Sequence, residues 1–220
     1  PFKKLDADEL KETEMAYHYI KKNNDSEIID VASDGTMIIV NRSPQGLVEI
    51  FKSVDGIEFT SVVALDNIYA TDASIALDSN DDIHIVCSIS GPYEIDRWIY
   101  NLNGELLEYT SITEVPAAST KHRIAMDKVN NILHVFYEIE SETLKKLIHC
   151  KVDSDGRVDV NVVDEVEKTR GHLAIINFGI GYQDKAYIVY IKSDSTSSNE
   201  KMAFFSGDDW ISNPIDFPIL

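Results

Sequence analysis

Arginine is scarce in this chain: five in 220 residues, at positions 42, 97, 123, 157 and 170. Lysine and arginine together number 20 against 38 acidic side chains, a formal charge of −18. Such a balance excludes the usual nucleic-acid partner, whose phosphates call for clustered basic groups, and equally disfavours an anionic membrane surface. It fits a surface kept apart by self-repulsion. Cysteine is nearly absent too. Cys87 and Cys150 sit in apolar runs ("IHIVCS", "KKLIHC") and are expected as buried free thiols, since two make no disulfide framework. No apolar run approaches the roughly 20 residues of a membrane-spanning helix, so no membrane insertion is expected. No basic-then-apolar leader is visible and the chain opens on Pro1, which leaves the compartment open; a secreted, surface or virion setting is favoured over a cytoplasmic one. Also missing are Gly-x-Ser-x-Gly, His-Glu-x-x-His and any glycine-rich phosphate loop.

What is present is repetition. Thr71, Thr120 and Thr169 recur 49 residues apart, each a polar lead into an apolar run. From Ser26 onward short β-rich runs alternate with Gly, Asp and Asn turns in four similar units, about 26–70, 71–118, 119–167 and 168–220. Each unit begins with one apolar strand ("EIIDVAS", "ASIALDS", "HRIAMDK", "HLAIINF"). The most apolar strand follows: "MIIV", "IHIV", "LHVF", "YIVY". A third ends in a tight turn at Asp55-Gly56, Asn103-Gly104, Asp155-Gly156 and, less regularly, Gly207-Asp208. These are residues that tolerate the positive φ of short hairpins, and a fourth strand closes each unit. Four antiparallel strands repeated four times predict an all-β chain, a β-propeller of four four-stranded blades over 26–220, closed alone or as part of a larger ring. Before it, residues 1–24 predict one short amphipathic helix. Asp6 is its N-cap, Leu10, Tyr17 and Ile20 mark one face, and Lys21 and Lys22 sit where the helix dipole favours cations. That helix is free to pack on the propeller or to dock a partner.

The layout resembles the sialidase-like propellers that carry Asp-box (bacterial neuraminidase) repeats. "IALDSNDDIHIV" and "IAMDKVNNILHVF" are similar in manner to their blades, and Ser53-Val-Asp55-Gly56-Ile-Glu-Phe59 is a shortened likeness of the box itself. Ser154-Asp155-Gly156 matches less. In that family the box ties a hairpin turn and implies no chemistry. The arginine cluster of catalytic sialidases, whose first member stands in an Arg-Ile-Pro context, has no counterpart here, so their catalysis is not carried over.

The repeat also positions a candidate site. The first strand of each blade runs beside the propeller axis and starts near one face, so Lys121, His122, Arg123, Arg170 and His172 should collect around one mouth of the channel. Guanidiniums there can grip a carboxylate or phosphate through paired hydrogen bonds, and a histidine beside them can titrate near neutrality. The alternative is ordinary pairing of these cations with Asp72, Glu165 and Glu167. No metal and no cofactor are expected. His84 and His134 hold matching places in second strands of different blades, as core side chains would, and Asp78, Asn80 and Asp82 lack the glycine and distant Glu of a calcium loop. Tyr93, Trp98, Tyr100, Tyr109 and Trp210 either stack on sugars or pack blade to blade. These features point first to a non-catalytic recognition module for a glycan or protein surface. The alternatives are a carbohydrate-active hydrolase or lyase, and a structural component of a virion or surface complex.

Overall fold

The computed structural model describes residues 28–43, 45–65, 68–89, 94–114, 122–181, 185–193, 198–205 and 210–214. The helix expected over 1–24 lies outside them. Among the described residues sixteen strands form four antiparallel four-stranded sheets, each in simple sequence order, and the chain is a four-blade β-propeller. Blade 1 holds β1 (Ile28–Val31), β2 (Met37–Arg42), β3 (Val48–Ser53) and β4 (Thr60–Leu65). Blade 2 holds β5 (Ala70–Leu77), β6 (Ile83–Ile89), β7 (Glu94–Tyr100) and β8 (Leu106–Glu114). Blade 3 holds β9 (His122–Asp127), β10 (Ile132–Glu140), β11 (Leu144–Val152) and β12 (Val158–Glu167). Blade 4 holds β13 (His172–Ile180), β14 (Ala186–Ser193), β15 (Ser198–Phe205) and β16 (Trp210–Pro214).

The turns follow from their residues. Gly56, Gly104 and Gly156, each closing the hairpin between third and fourth strands, sit at φ of 74°, 85° and 79°. This is the left-handed region in which only glycine is free of strain. In blades 1 to 3 the turn between first and second strands is braced by an aspartate that accepts amides ahead of it. Asp34 Oδ1 takes the N–H of Thr36, Asp78 Oδ1 those of Asn80 and Asp82, and Asp127 Oδ1 those of Val129 and Asn130. Ser53 and Asp55 tie the β3–β4 turn in a similar way. Asp55 Oδ1 accepts from Ser53 Oγ and from the amides of Ile57 and Glu58. The β11–β12 turn at Gly156 is closed by backbone bonds to Asp153, so this tie is not repeated there.

Blades meet in apolar seams. Ile38, Ile50, Leu65, Ile75, Ile85 and Trp98 fill the seam of blades 1 and 2. Val86, Ile95, Ile112, Leu133, Val135 and Val152 fill that of blades 2 and 3. Phe136, Leu147, Leu173, Ile188, Tyr190 and Phe205 fill that of blades 3 and 4. Each fully buried Ile or Leu contributes about 2 kcal/mol, and a strand with seams on both faces is therefore apolar on both. In β6, every side chain from Ile83 to Ser88 is buried.

An innermost strand leaves one edge without a β partner, and its amides need acceptors. A carboxylate of the preceding blade supplies one at each of the three seams among the described residues. Asp30 Oδ2 accepts the N–H of Leu77 at 2.8 Å, Asp72 Oδ2 that of His122 at 2.9 Å, and Glu138 Oε1 that of Ile175 at 3.2 Å. These clasps fix where β5, β9 and β13 stand beside the axis.

Candidate functional site

At the start of β9 two of the expected residues come together. The Asp72 carboxylate, 5% exposed, reaches from β5 after a register shift between Ala70 and Asp72 and accepts the His122 amide. The same oxygen lies 3.6 Å from Arg123 Nη1, which also donates to the His122 carbonyl at 2.8 Å. The His122 ring is buried completely. Its Nε2 faces the Val86 carbonyl at 2.9 Å, so that nitrogen carries the proton; Nδ1 is left to accept from Ser88 Oγ at 2.8 Å. Burial holds His122 below the usual histidine range against the opposing pull of Asp72, 3.7 Å away. Arg123 is the member that meets solvent, with 32% of its side chain exposed.

The remaining candidates stand elsewhere or outside the described residues. Arg170 is 71% exposed on the β12–β13 turn, 3.7 Å from the Glu167 carboxylate. His172, also exposed, opens β13 opposite Ser193. Lys121 lies outside the described residues. Among those residues no hydrogen bond or ion pair joins Arg170 or His172 to Arg123. Asp72 against Arg123 and Glu167 against Arg170 are the counter-ion pairings offered as the alternative. The Asp72–His122–Ser88–Val86 clasp had no linear signal, because its parts come from three strands and meet only through sheet register.

Other polar groups are buried in the seams. His134 Nδ1 and His149 Nε2 lie 2.8 Å apart, and Trp210 Nε1 donates to His149 Nδ1 at 3.1 Å. The indole leaves His149 Nδ1 as an acceptor, so Nε2 donates to His134 and the chain runs in one direction. Arg97, 2% exposed, is held in the seam of blades 2 and 3 by the Glu108 carboxylate and by Thr110 Oγ1 at 3.2 Å. Cys87 and Cys150 are free and buried; burial raises both thiols, Cys150 to about 11. Trp98 and Tyr100 pack in the first seam, while Tyr109 is 52% exposed with its hydroxyl on Asp96; Tyr93 lies outside the described residues. Among those residues, no group of three or more His, Cys, Asp or Glu side chains is placed to hold a metal ion.

No family model matches the sequence, and no curated protein matches it. Solved structures do resemble it. A bifunctional GH43-CE protein of Bacteroides eggerthii superposes with a TM-score of 0.56 at 8% identity, over 84% of this chain and 25% of that one. A polysaccharide lyase of family PL25, an ulvan lyase, gives 0.53 at 9% over 88% and 60%. A protein from Lactobacillus plantarum gives 0.54 at 11% over 87% and 55%. The chain thus spans at most 60% of the length of these three. Nothing in them speaks for Asp-box sialidases in particular. The likeness is one of fold: this chain shares its β-propeller with a polysaccharide lyase and a GH43 protein.

Proposed function

We propose that this chain is the propeller of a carbohydrate-active enzyme, of hydrolase or lyase type, that takes an acidic polysaccharide at the mouth where the inner strands begin. The observation that carries the reading is Arg123, fixed on an innermost strand by Asp72 and the His122 carbonyl yet open to solvent. A guanidinium offers five N–H donors, and one nitrogen makes both of those contacts. On a chain of charge −18 a cation held in this way selects for a carboxylate or sulfate on the glycan. The polysaccharide lyase that shares the fold, solved with a GlcA(1-4)Rha3S glycan, supports the substrate class. Recognition without turnover is the second reading. His122 favours it, because a buried ring with both nitrogens engaged does not reach a substrate as acid or base.

The test is incubation with uronate-containing, sulfated and neutral polysaccharides, following reducing ends and unsaturated-uronate absorbance together. Reducing ends with the chromophore identify a lyase, and reducing ends alone a hydrolase. Binding without either identifies a recognition module. Arg123→Ala should lower kcat/KM on the acidic substrate about 10- to 100-fold, the worth of one charge-assisted contact. An unchanged kcat/KM in a folded variant removes the mouth from the reading.

A further inference from the structure

The inner strands of successive blades lie against one another, β1 beside β5, β5 beside β9 and β9 beside β13. β13 is not packed on β1 in this way. Among the described residues no apolar cluster and no carboxylate clasp joins blade 4 to blade 1. The blades therefore form an arc, and the first and the last each turn one face away from the other three.

Both of these end faces are apolar. On blade 4 the register sets Tyr187 beside Phe204 and Ile211, and Val189 beside Met202, with Ile191 further along β14. These side chains point away from Ile188, Tyr190 and Ala203, which fill the seam with blade 3. In β14 Ala186, Ile188 and Tyr190 are buried, whereas Tyr187, Val189 and Ile191 are only half-buried; Phe204 and Ile211 are exposed. The matching strands β6 and β10 are buried on both faces. The Tyr187 ring fills the space that a Cβ on Gly179 would need, 3.0–3.2 Å from it, so the ring lies flat against this face. On blade 1, Ile29 and Val31 are exposed on the side away from Ile38, Ile29 in line with Ile39 and Phe51. Single exposed apolar side chains are ordinary, but a contiguous row of them on a sheet marks a contact surface.

We infer that residues 1–24 cover this row: they dock as an amphipathic helix along β14 and β15 and close the arc against β1, independently of the function proposed at the mouth. Residues 1–27 lead directly into β1, the strand that borders the opening. Leu10, Tyr17 and Ile20 give the helix one apolar stripe, and Lys11, Glu12 and Lys22 stand on the opposite side, where they would meet water. From Ala7 to Lys22 such a helix is about 24 Å long. The eight residues of β14 extend about 26 Å, so stripe and row match in length. Asn23 to Glu27 reach up to about 17 Å, more than the roughly 10 Å that separates packed layers. A second copy is the rival occupant. Each copy, however, brings a charge of −18, and a tethered segment competes at an effective concentration on the order of millimolar.

Paramagnetic broadening in the full chain tests this. Cys87 and Cys150 are buried, so in Lys11→Cys a nitroxide reagent labels the introduced thiol on the outward side of the helix. The label should broaden amide resonances of β14, β15 and β1 and spare those of β7 and β8 in blade 2. Adding Tyr17→Lys, which changes no residue of the blades, should lower the docked population at least about tenfold, the worth of one buried apolar side chain, and keep the dispersed spectrum of the folded propeller. A mixture of labelled chain with isotope-enriched, unlabelled chain reads contacts between copies, and no broadening is expected in it. Absence of broadening in β14 and β15, or broadening unchanged in the folded Tyr17→Lys chain, would overturn the inference. Broadening as strong in the mixture as within one chain would overturn it too, and would give the face to a second copy.

Discussion

His134 and His149 face each other within a seam, both at most 3% exposed, and neither can take up a proton there at ordinary pH. Burial lowers His134 from 6.5 to about 4; burial, then the His134 charge, lower His149 to about 2. The unfolded chain protonates both near 6.5 while the folded chain does not. Above 6.5 the pair therefore has no effect on stability, and below it stability falls, down to about 4 for His134 and further for His149. His122, lowered in the same direction, adds to the fall. The slope should reach about 1.4 kcal/mol per pH unit for each histidine. Urea midpoints between about pH 7 and about pH 5 measure it, and His134→Phe should remove one proton's share of the slope. A flat profile would show these rings to be solvated. At this scale the sequence was legible in part. The 49-residue spacing set Arg123 at the head of an inner strand, where it is found. Arg97 was unreadable, because an arginine within "EIDRWIY" looks like the solvent side of an alternating strand, and only the neighbouring blade buries it.

Hairpins carry the next level. Gly35 and Gly104 both stand at positive φ, 92° and 85°, but in different surroundings. A Cβ on Gly35 would meet nothing within 4 Å, whereas one on Gly104 would lie 2.6 Å from the Val62 carbonyl oxygen of blade 1. Gly35→Ala should cost about 1 kcal/mol, the backbone strain alone. Gly104→Ala should cost roughly 2–3 kcal/mol more, because the β7–β8 turn must move off β4. Denaturant midpoints of the two variants decide this, and equal losses would show that the β7–β8 turn yields freely. Asp-Gly and Asn-Gly announced the turns between third and fourth strands at Gly56, Gly104 and Gly156, because few other residues accept their dihedrals. The first-strand turns were less legible. Asp81 and Asn131 adopt φ of 64° and 56° without being glycine, and the aspartates that brace the turns read only as polar loop.

Across the whole molecule, stability is distributed by seams. Blades 2 and 3 each lie between two apolar clusters, whereas blades 1 and 4 each contribute to one among the described residues. Amide exchange should accordingly be slowest in β6 and β10, whose central side chains are buried on both faces, and faster in β2 and β14. Uniform protection across the four blades would mean that they open only together. The architecture was legible because a blade is a local unit: three hairpins in sequence, repeated, leave few topologies open. The clasps between blades were not, since Asp30, Asp72 and Glu138 reach partners 37 to 50 residues away and no shared motif surrounds them.

The two tryptophans of the chain fall in different seams. Trp98 packs among Ile38, Ile85 and their neighbours between blades 1 and 2, while Trp210 rests on Phe205 and His149 between blades 3 and 4. Replacing either by Phe leaves one indole, and its emission then reports on one seam alone. The molecule thus carries two internal fluorophores, by which the parting of its first pair of blades can be timed separately from the parting of its last.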